Sequence, residues 1–170
     1  MTKKESILKT NVFMKLVYTV FLALLVALFW GMGIAAFYPA PEAPETPAIV
    51  EQSYKNPGES LSPAEKTAQV AFEKEQKEYN EKMKTYSRNV SIIALGFAVL
   101  TLVVSLLFSN KIPVLADGLL LGSVFTLAYS IIRGFESEDA KFRFVIVTVG
   151  LLITVFIGYW KFIKTPKELE

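Results

Sequence analysis

Residues 90–132 read VSIIALGFAVLTLVVSLLFSNKIPVLADGLLLGSVFTLAYSII, a stretch whose only charged residues are Lys111 and Asp117. Asn110-Lys111 divides it into two apolar runs of about 20 residues, and at about 1.5 Å per residue each run matches the roughly 30 Å hydrocarbon core of a bilayer. A connection that short forces an antiparallel hairpin. Pro113 falls in the first turn of the second run, where a missing N–H costs no intrahelical bond.

Two further runs flank the hairpin. Residues 16–38 carry no charge, and residues 144–160 follow a charged loop and precede Lys161, Lys164 and Lys167. The chain of 170 residues is 52% apolar, with a mean hydropathy of +0.40, because of these four segments. The fold class expected is all-α, a polytopic membrane protein with four transmembrane helices and one long helix protruding from the bilayer. The competing reading of residues 16–38, a cleaved signal peptide behind a basic start, requires a shorter apolar stretch of about 7–15 residues. A true first span fits better.

The expected organisation is a basic cytoplasmic N-terminus (1–15), a first span (16–38), a Pro-rich extracytoplasmic strap (39–61), an extracytoplasmic amphipathic helix (62–88) continuous with the second span (89–109), a third span (112–132), a charged loop (133–143), a fourth span (144–160) and a basic C-terminal tail (161–170). Four spans leave both termini on one side. The first span has Lys3, Lys4, Lys9 and Lys15 before it and no Lys or Arg in the 16 residues after it. The positive-inside rule weighs such short flanks above long loops, so both termini are expected in the cytoplasm, of a plasma membrane. Tyr38, Tyr159 and Trp160 sit at span ends, where an amphipathic ring meets both lipid and water. Trp30 lies two turns inside and reads equally well as bundle packing.

Between the first two spans the composition changes. PAPEAPETPA at residues 39–48 cannot form helix, because each proline removes a donor and biases its predecessor to extended geometry. It reads as a stiff spacer rather than a ligand for a proline-binding domain. After Asn56-Pro57-Gly58, Ser62-Pro63-Ala64-Glu65 has the form of a capping box. The spacing predicts one helix from 63 to 109. Along it Phe72, Tyr79, Met83, Tyr86 and Val90 form a heptad-like stripe, with Glu73/Lys77 and Glu78/Lys82 as i,i+4 pairs on other faces. Phe72, Tyr79, Met83 and Tyr86 are the candidate partner-binding residues. The stripe can meet the strap of its own chain, a second copy or a different subunit. A helix lying on lipid is disfavoured, because its polar face is mixed in charge rather than basic.

Each span carries small residues four apart, and Ala27, Gly31, Gly118, Gly122, Thr126, Gly150 and Gly158 are the candidate helix-packing positions. In lipid, close backbone approach and interhelical hydrogen bonds hold helices together, since burying apolar side chains gains little over acyl chains. Asp117 is a candidate ion or charge site. Its place in the first turns of the third span also suits an interface anchor beside Lys111.

The chain contains neither cysteine nor histidine. That removes disulfides, Cys/His zinc sites, haem or iron–sulfur ligation through those residues, and any Cys or His nucleophile–base pair. No phosphate-binding glycine loop or paired intramembrane carboxylate takes their place. The expectation is a non-catalytic accessory, structural or assembly subunit of a membrane protein complex, with no cofactor. Its partners would be the lipid bilayer and other membrane protein subunits or copies of itself, and not nucleic acid. The reading from another class is a homo-oligomeric ion channel or small transporter with Asp117 near one mouth; its weakness is that only Thr101, Ser105 and Ser109 approach a continuous polar face.

Overall fold

The computed structural model describes residues 3–55 and 62–160. They form α1 (Lys3–Phe37), α2 (Ala48–Lys55), α3 (Pro63–Phe108), α4 (Pro113–Glu136) and α5 (Ala140–Tyr159), with no strand among the described residues. The molecule is all-α, and α1 from Val12, α3, α4 and α5 are each long and apolar enough to cross a membrane. The turn Asn56-Pro57-Gly58 and the basic tail 161–170 lie outside the described residues.

α3 starts as its sequence dictates. The Ser62 amide donates to the Glu65 carboxylate (2.6 Å) and the Glu65 amide donates to the Ser62 hydroxyl (3.3 Å), so two N–H groups that a helix start would leave orphaned are satisfied reciprocally. The Ser62 hydroxyl and amide hold the Glu65 carboxyl below the usual carboxylate range. The helix then runs for 46 residues. On its exposed surface Glu81 pairs with Lys84 (3.1 Å) and Gln69 donates to Glu73 (3.2 Å), in place of the i,i+4 pairs expected at Glu73/Lys77 and Glu78/Lys82. Exposed pairs of that kind contribute only about 0.3–0.5 kcal/mol, too little to hold two long side chains in one geometry.

Two stretches depart from expectation. Residues 39–61 are not a strap throughout, because α2 forms once the prolines stop: the Pro47 carbonyl accepts the amides of Val50 (2.9 Å) and Glu51 (3.0 Å) and opens the helix. The charged loop expected at 133–143 contracts to 137–139. Ser137 ends α4 by donating its hydroxyl to the Gly134 carbonyl (2.7 Å), Glu138 reverses the chain at φ 57°, and the Asp139 carboxylate caps α5 by accepting the amides of Lys141 (2.9 Å) and Phe142 (3.2 Å). Arg133 and Glu136 therefore sit on α4, and Lys141 and Arg143 on α5.

The chain divides into two compact units, one of residues 40–86 and one of residues 1–39 with 87–170. In the smaller unit Val50 and Phe72 are buried, and Pro44 of the strap shares with Tyr79, Glu75 and Lys82 the wall of a small cavity of about 190 Å³. In the larger unit many buried positions are small or hydroxylated, among them Ala23, Ala94, Ala98, Ala116, Ser91, Ser105 and Ser130, beside the aliphatic Ile34, Val90, Leu102, Leu127 and Ile146, while Phe21, Phe29, Met32, Leu100, Phe144 and Leu152 are exposed.

Candidate functional site

Within the larger unit α3 and α4 meet along a seam of small and hydroxylated side chains. Ser87, Ser91, Ala94, Ala98, Thr101 and Ser105 follow one another at alternating four- and three-residue steps, and all six are buried. That is heptad spacing, the period that keeps one face of a helix against a neighbour. Small side chains on this face let the backbones approach, and the hydroxyls then reach across. Ser91 Oγ donates to the Ser130 carbonyl and Ser130 Oγ donates to the Ser91 carbonyl, both at 2.7 Å. Near the hairpin Ser105 Oγ donates to the Ala116 carbonyl, again at 2.7 Å. Bonds of this type contribute on average about 0.6 kcal/mol each between helices in a membrane-like medium.

α1 lies against both helices. On α4, a Cβ added at Gly118 would come within 2.6 Å of Leu22 Cδ2, and one at Gly122 within 2.9 Å of Val26 Cβ and 3.3 Å of the Ala23 carbonyl oxygen. Glycine is needed for that approach at Gly122, while at Gly118 the end of the Leu22 side chain would have to move. On α3, Trp30 Nε1 donates to Thr101 Oγ1 (2.9 Å) while its ring stacks on Phe97 with centroids 4.0 Å apart. Asn89 Nδ2 donates to the Tyr38 hydroxyl (2.9 Å) at the end of α1. Trp30 is thus a packing residue whose one polar atom is satisfied.

The seven candidate packing residues divide by surroundings. Gly118 and Gly122 face α1, Thr126 is buried with its hydroxyl on the Gly122 carbonyl (2.9 Å), and a Cβ added at Gly150 would come within 3.2 Å of Ile131 Cδ1 of α4. Ala27 and Gly31 instead line an apolar groove of about 500 Å³ with Met32, Phe125 and Tyr129, and a Cβ on Gly31 or Gly158 would meet nothing within 4 Å. A second apolar crevice of about 470 Å³ lies between α1 and α3, walled by Phe29, Trp30, Phe37 and Phe97. The partner-binding candidates also divide: Phe72 and Tyr86 are buried, Tyr79 and Met83 half-buried.

Asp117 is exposed on α4, one residue past Ala116, whose carbonyl the Ser105 hydroxyl occupies. Among the described residues no three acids gather as a metal site. A polar cluster stands at the opposite end of α4, where sequence reading offers Arg133 as an interface residue pairing with Glu136 or Glu138 and passes over Ser87 and Tyr129. There Glu136 accepts from Arg133 (2.7 Å) and Ser87 (3.0 Å), and Arg133 Nε donates to the Tyr129 hydroxyl (3.3 Å). The signal for it was the i,i+3 and i,i+4 spacing of Glu136 and Tyr129 about Arg133.

Comparison with known proteins finds no matching family model, no matching curated protein and no matching solved structure.

Proposed function

We propose that the chain is a four-span integral membrane protein without catalytic activity, an accessory or assembly subunit that binds other membrane proteins. The observation that carries this reading is the contrast between the spans. In the most apolar stretches of α3 and α4, 39% of residues are buried, against 11% in α1 and 17% in α5. The hairpin helices are the more enclosed, and the outer helices leave apolar faces and two grooves exposed. The hydroxyls of Ser91, Ser105, Thr126 and Ser130 are all engaged with backbone carbonyls inside the unit, which leaves few polar groups to line a conduction path. That favours a structural subunit over a channel with Asp117 at its mouth.

Both termini lie in the cytoplasm of the plasma membrane in this reading. On the same reading residues 63–86 leave the bilayer on the opposite side as the first part of α3, a helix of about 70 Å at about 1.5 Å per residue. The grooves beside α1 and the half-buried Tyr79 and Met83 are the partner surfaces.

Mild-detergent purification followed by mass measurement of the intact assembly tests the proposal. A complex with a second membrane protein is expected. A homo-oligomer whose cation flux in reconstituted vesicles changes on Asp117→Asn overturns it in favour of the channel. The cysteine-free background makes orientation directly measurable: Lys74→Cys is expected to react with an impermeant thiol reagent in intact cells and Lys111→Cys not to.

A further inference from the structure

We propose that Arg143 binds the phosphate group of a membrane phospholipid at the end of the larger unit where α4 turns into α5, an inference that rests on the membrane reading above. Arg143 Nε is buried and has no hydrogen-bond partner. The guanidinium lies 5.7 Å from the centre of the Phe135 ring, so one face is covered by an aromatic surface while its N–H groups remain along the edges. Two of the three carboxylates at the turn are committed elsewhere, and the third, Glu138, is not free. Glu136 is shared by Arg133 and Ser87, and Asp139 accepts the first amides of α5. Only Nε is enclosed: the residue as a whole is half-buried, so the other N–H groups of the guanidinium stay open to an acceptor from outside the chain, and a charged donor left without one is unfavourable.

The place of the residue says what supplies the acceptor. Arg143 immediately precedes the uncharged run 144–160, so in a bilayer it stands at headgroup depth, where phosphodiester oxygens are the abundant anions. A planar guanidinium matches two such oxygens at once. Exposed Lys141 adds a second cation in the same helical turn, and the partial positive charge of the α5 N-terminus acts in the same direction. A free phosphate ion would meet the same donors. The lipid is the better fit because Phe144 and Val147, both exposed on the following turn, offer an apolar surface to acyl chains.

The test is thermal unfolding of the full chain, purified from the membrane fraction, with phosphatidylglycerol, phosphatidylcholine, a phosphate-free galactolipid or inorganic phosphate added. Both phospholipids are expected to raise the wild-type midpoint by about 3 °C or more above the galactolipid. Arg143→Gln should lose that difference, and Lys74→Gln, outside the apolar unit, should keep it. If Arg143→Gln does not fold, Arg143→Lys retains the charge without the planar fork and should retain less phospholipid by mass spectrometry of the intact protein. Equal shifts with phospholipid and galactolipid, or an undiminished difference in the Arg143 variants, overturn the proposal. A shift with inorganic phosphate alone overturns the lipid as source. Absence of the wild-type chain from the membrane fraction would defeat the membrane reading itself.

Discussion

On the first part of α3, Phe72 and Tyr86 are buried while Lys74, Glu75, Lys77 and Glu78 are exposed. A few turns later on the same helix Ser91, Thr101 and Ser105 are buried, and Ile92, Val99, Leu100 and Val103 are exposed. Both parts are regular helix, so local backbone preference does not distinguish them. The difference lies in what each part excludes. In water, apolar area is buried and charge is left outside. Surrounded by acyl chains, large apolar side chains gain little by turning inward, so the interface goes to side chains that permit close approach or make a hydrogen bond. In the proposed reading the membrane surface falls near Tyr86 and Ser87, where this balance changes, although Val90 and Leu102 are still buried beyond it.

Moving a charge across that boundary is the strongest way to break the comparison. Leu100 is 53% exposed and Val70 67% exposed, so by exposure alone either position should accept arginine. If residues 87–108 face lipid, Leu100→Arg costs about 2.5–3.5 kcal/mol, the range for arginine at the centre of a span. Val70→Arg should stay within about 0.5 kcal/mol. Yield in the membrane fraction and unfolding in detergent measure both. Similar losses for the two variants would mean that α3 has one environment from end to end.

The helices, the hairpin and the α3 start were legible because each rests on local chemistry: apolar length, a two-residue connection, Ser62 three residues before Glu65. The seam between α3 and α4 was visible only in fragments. Looking for small residues four apart gives three separate pairs, Ser87 with Ser91, Ala94 with Ala98 and Thr101 with Ser105, although all six share one heptad face. Period 3.5 joins them and period 4 does not. The Ser91–Ser130 exchange joins residues 39 apart and needs the crossing of two helices, which no local pattern specifies. The short turn at 137–139 was hidden for another reason: Arg133, Glu136, Lys141 and Arg143 look like loop residues by charge, yet an aspartate cap and one left-handed residue carry the helices through them.

A smaller effect sharpens the comparison within the larger unit. If cohesion there comes from close approach, Gly122→Leu should lower stability by about 1–3 kcal/mol, because its Cβ would press on the β-branched Val26 and on the Ala23 carbonyl, and neither can swing aside. Gly158→Leu meets open space and should change the isolated chain by no more than about 0.5 kcal/mol. Thermal unfolding in detergent gives both values. A loss at Gly158 that appears only in the intact assembly would locate a partner on that face of α5; equal losses in the isolated chain would remove close approach as the explanation.

The smallest expected effect belongs wholly to the aqueous side. Hydrogen bonds from the Ser62 hydroxyl and amide lower the Glu65 pKa in the folded chain, so the cap's contribution is complete above the ordinary carboxylate value and disappears as pH falls through the depressed one. Acidification should therefore loosen the first turn of α3 at a pH below that at which a free glutamate takes its proton. The reciprocal bonds between Ser91 and Ser130 use only hydroxyls and carbonyls, and the helix there should keep its amide protection through that change. Site-resolved carboxyl titration by NMR, with hydrogen exchange at Glu65 and Lys66, measures both ends of the helix in one sample. Ser62→Ala should move the Glu65 titration back toward the usual range and speed exchange in that turn. If Glu65 already titrates in the usual range, the reciprocal cap is absent in solution; if protection at Ser91 falls together with protection at Glu65, the two parts of α3 unfold as one unit and the boundary between them is not a mechanical one.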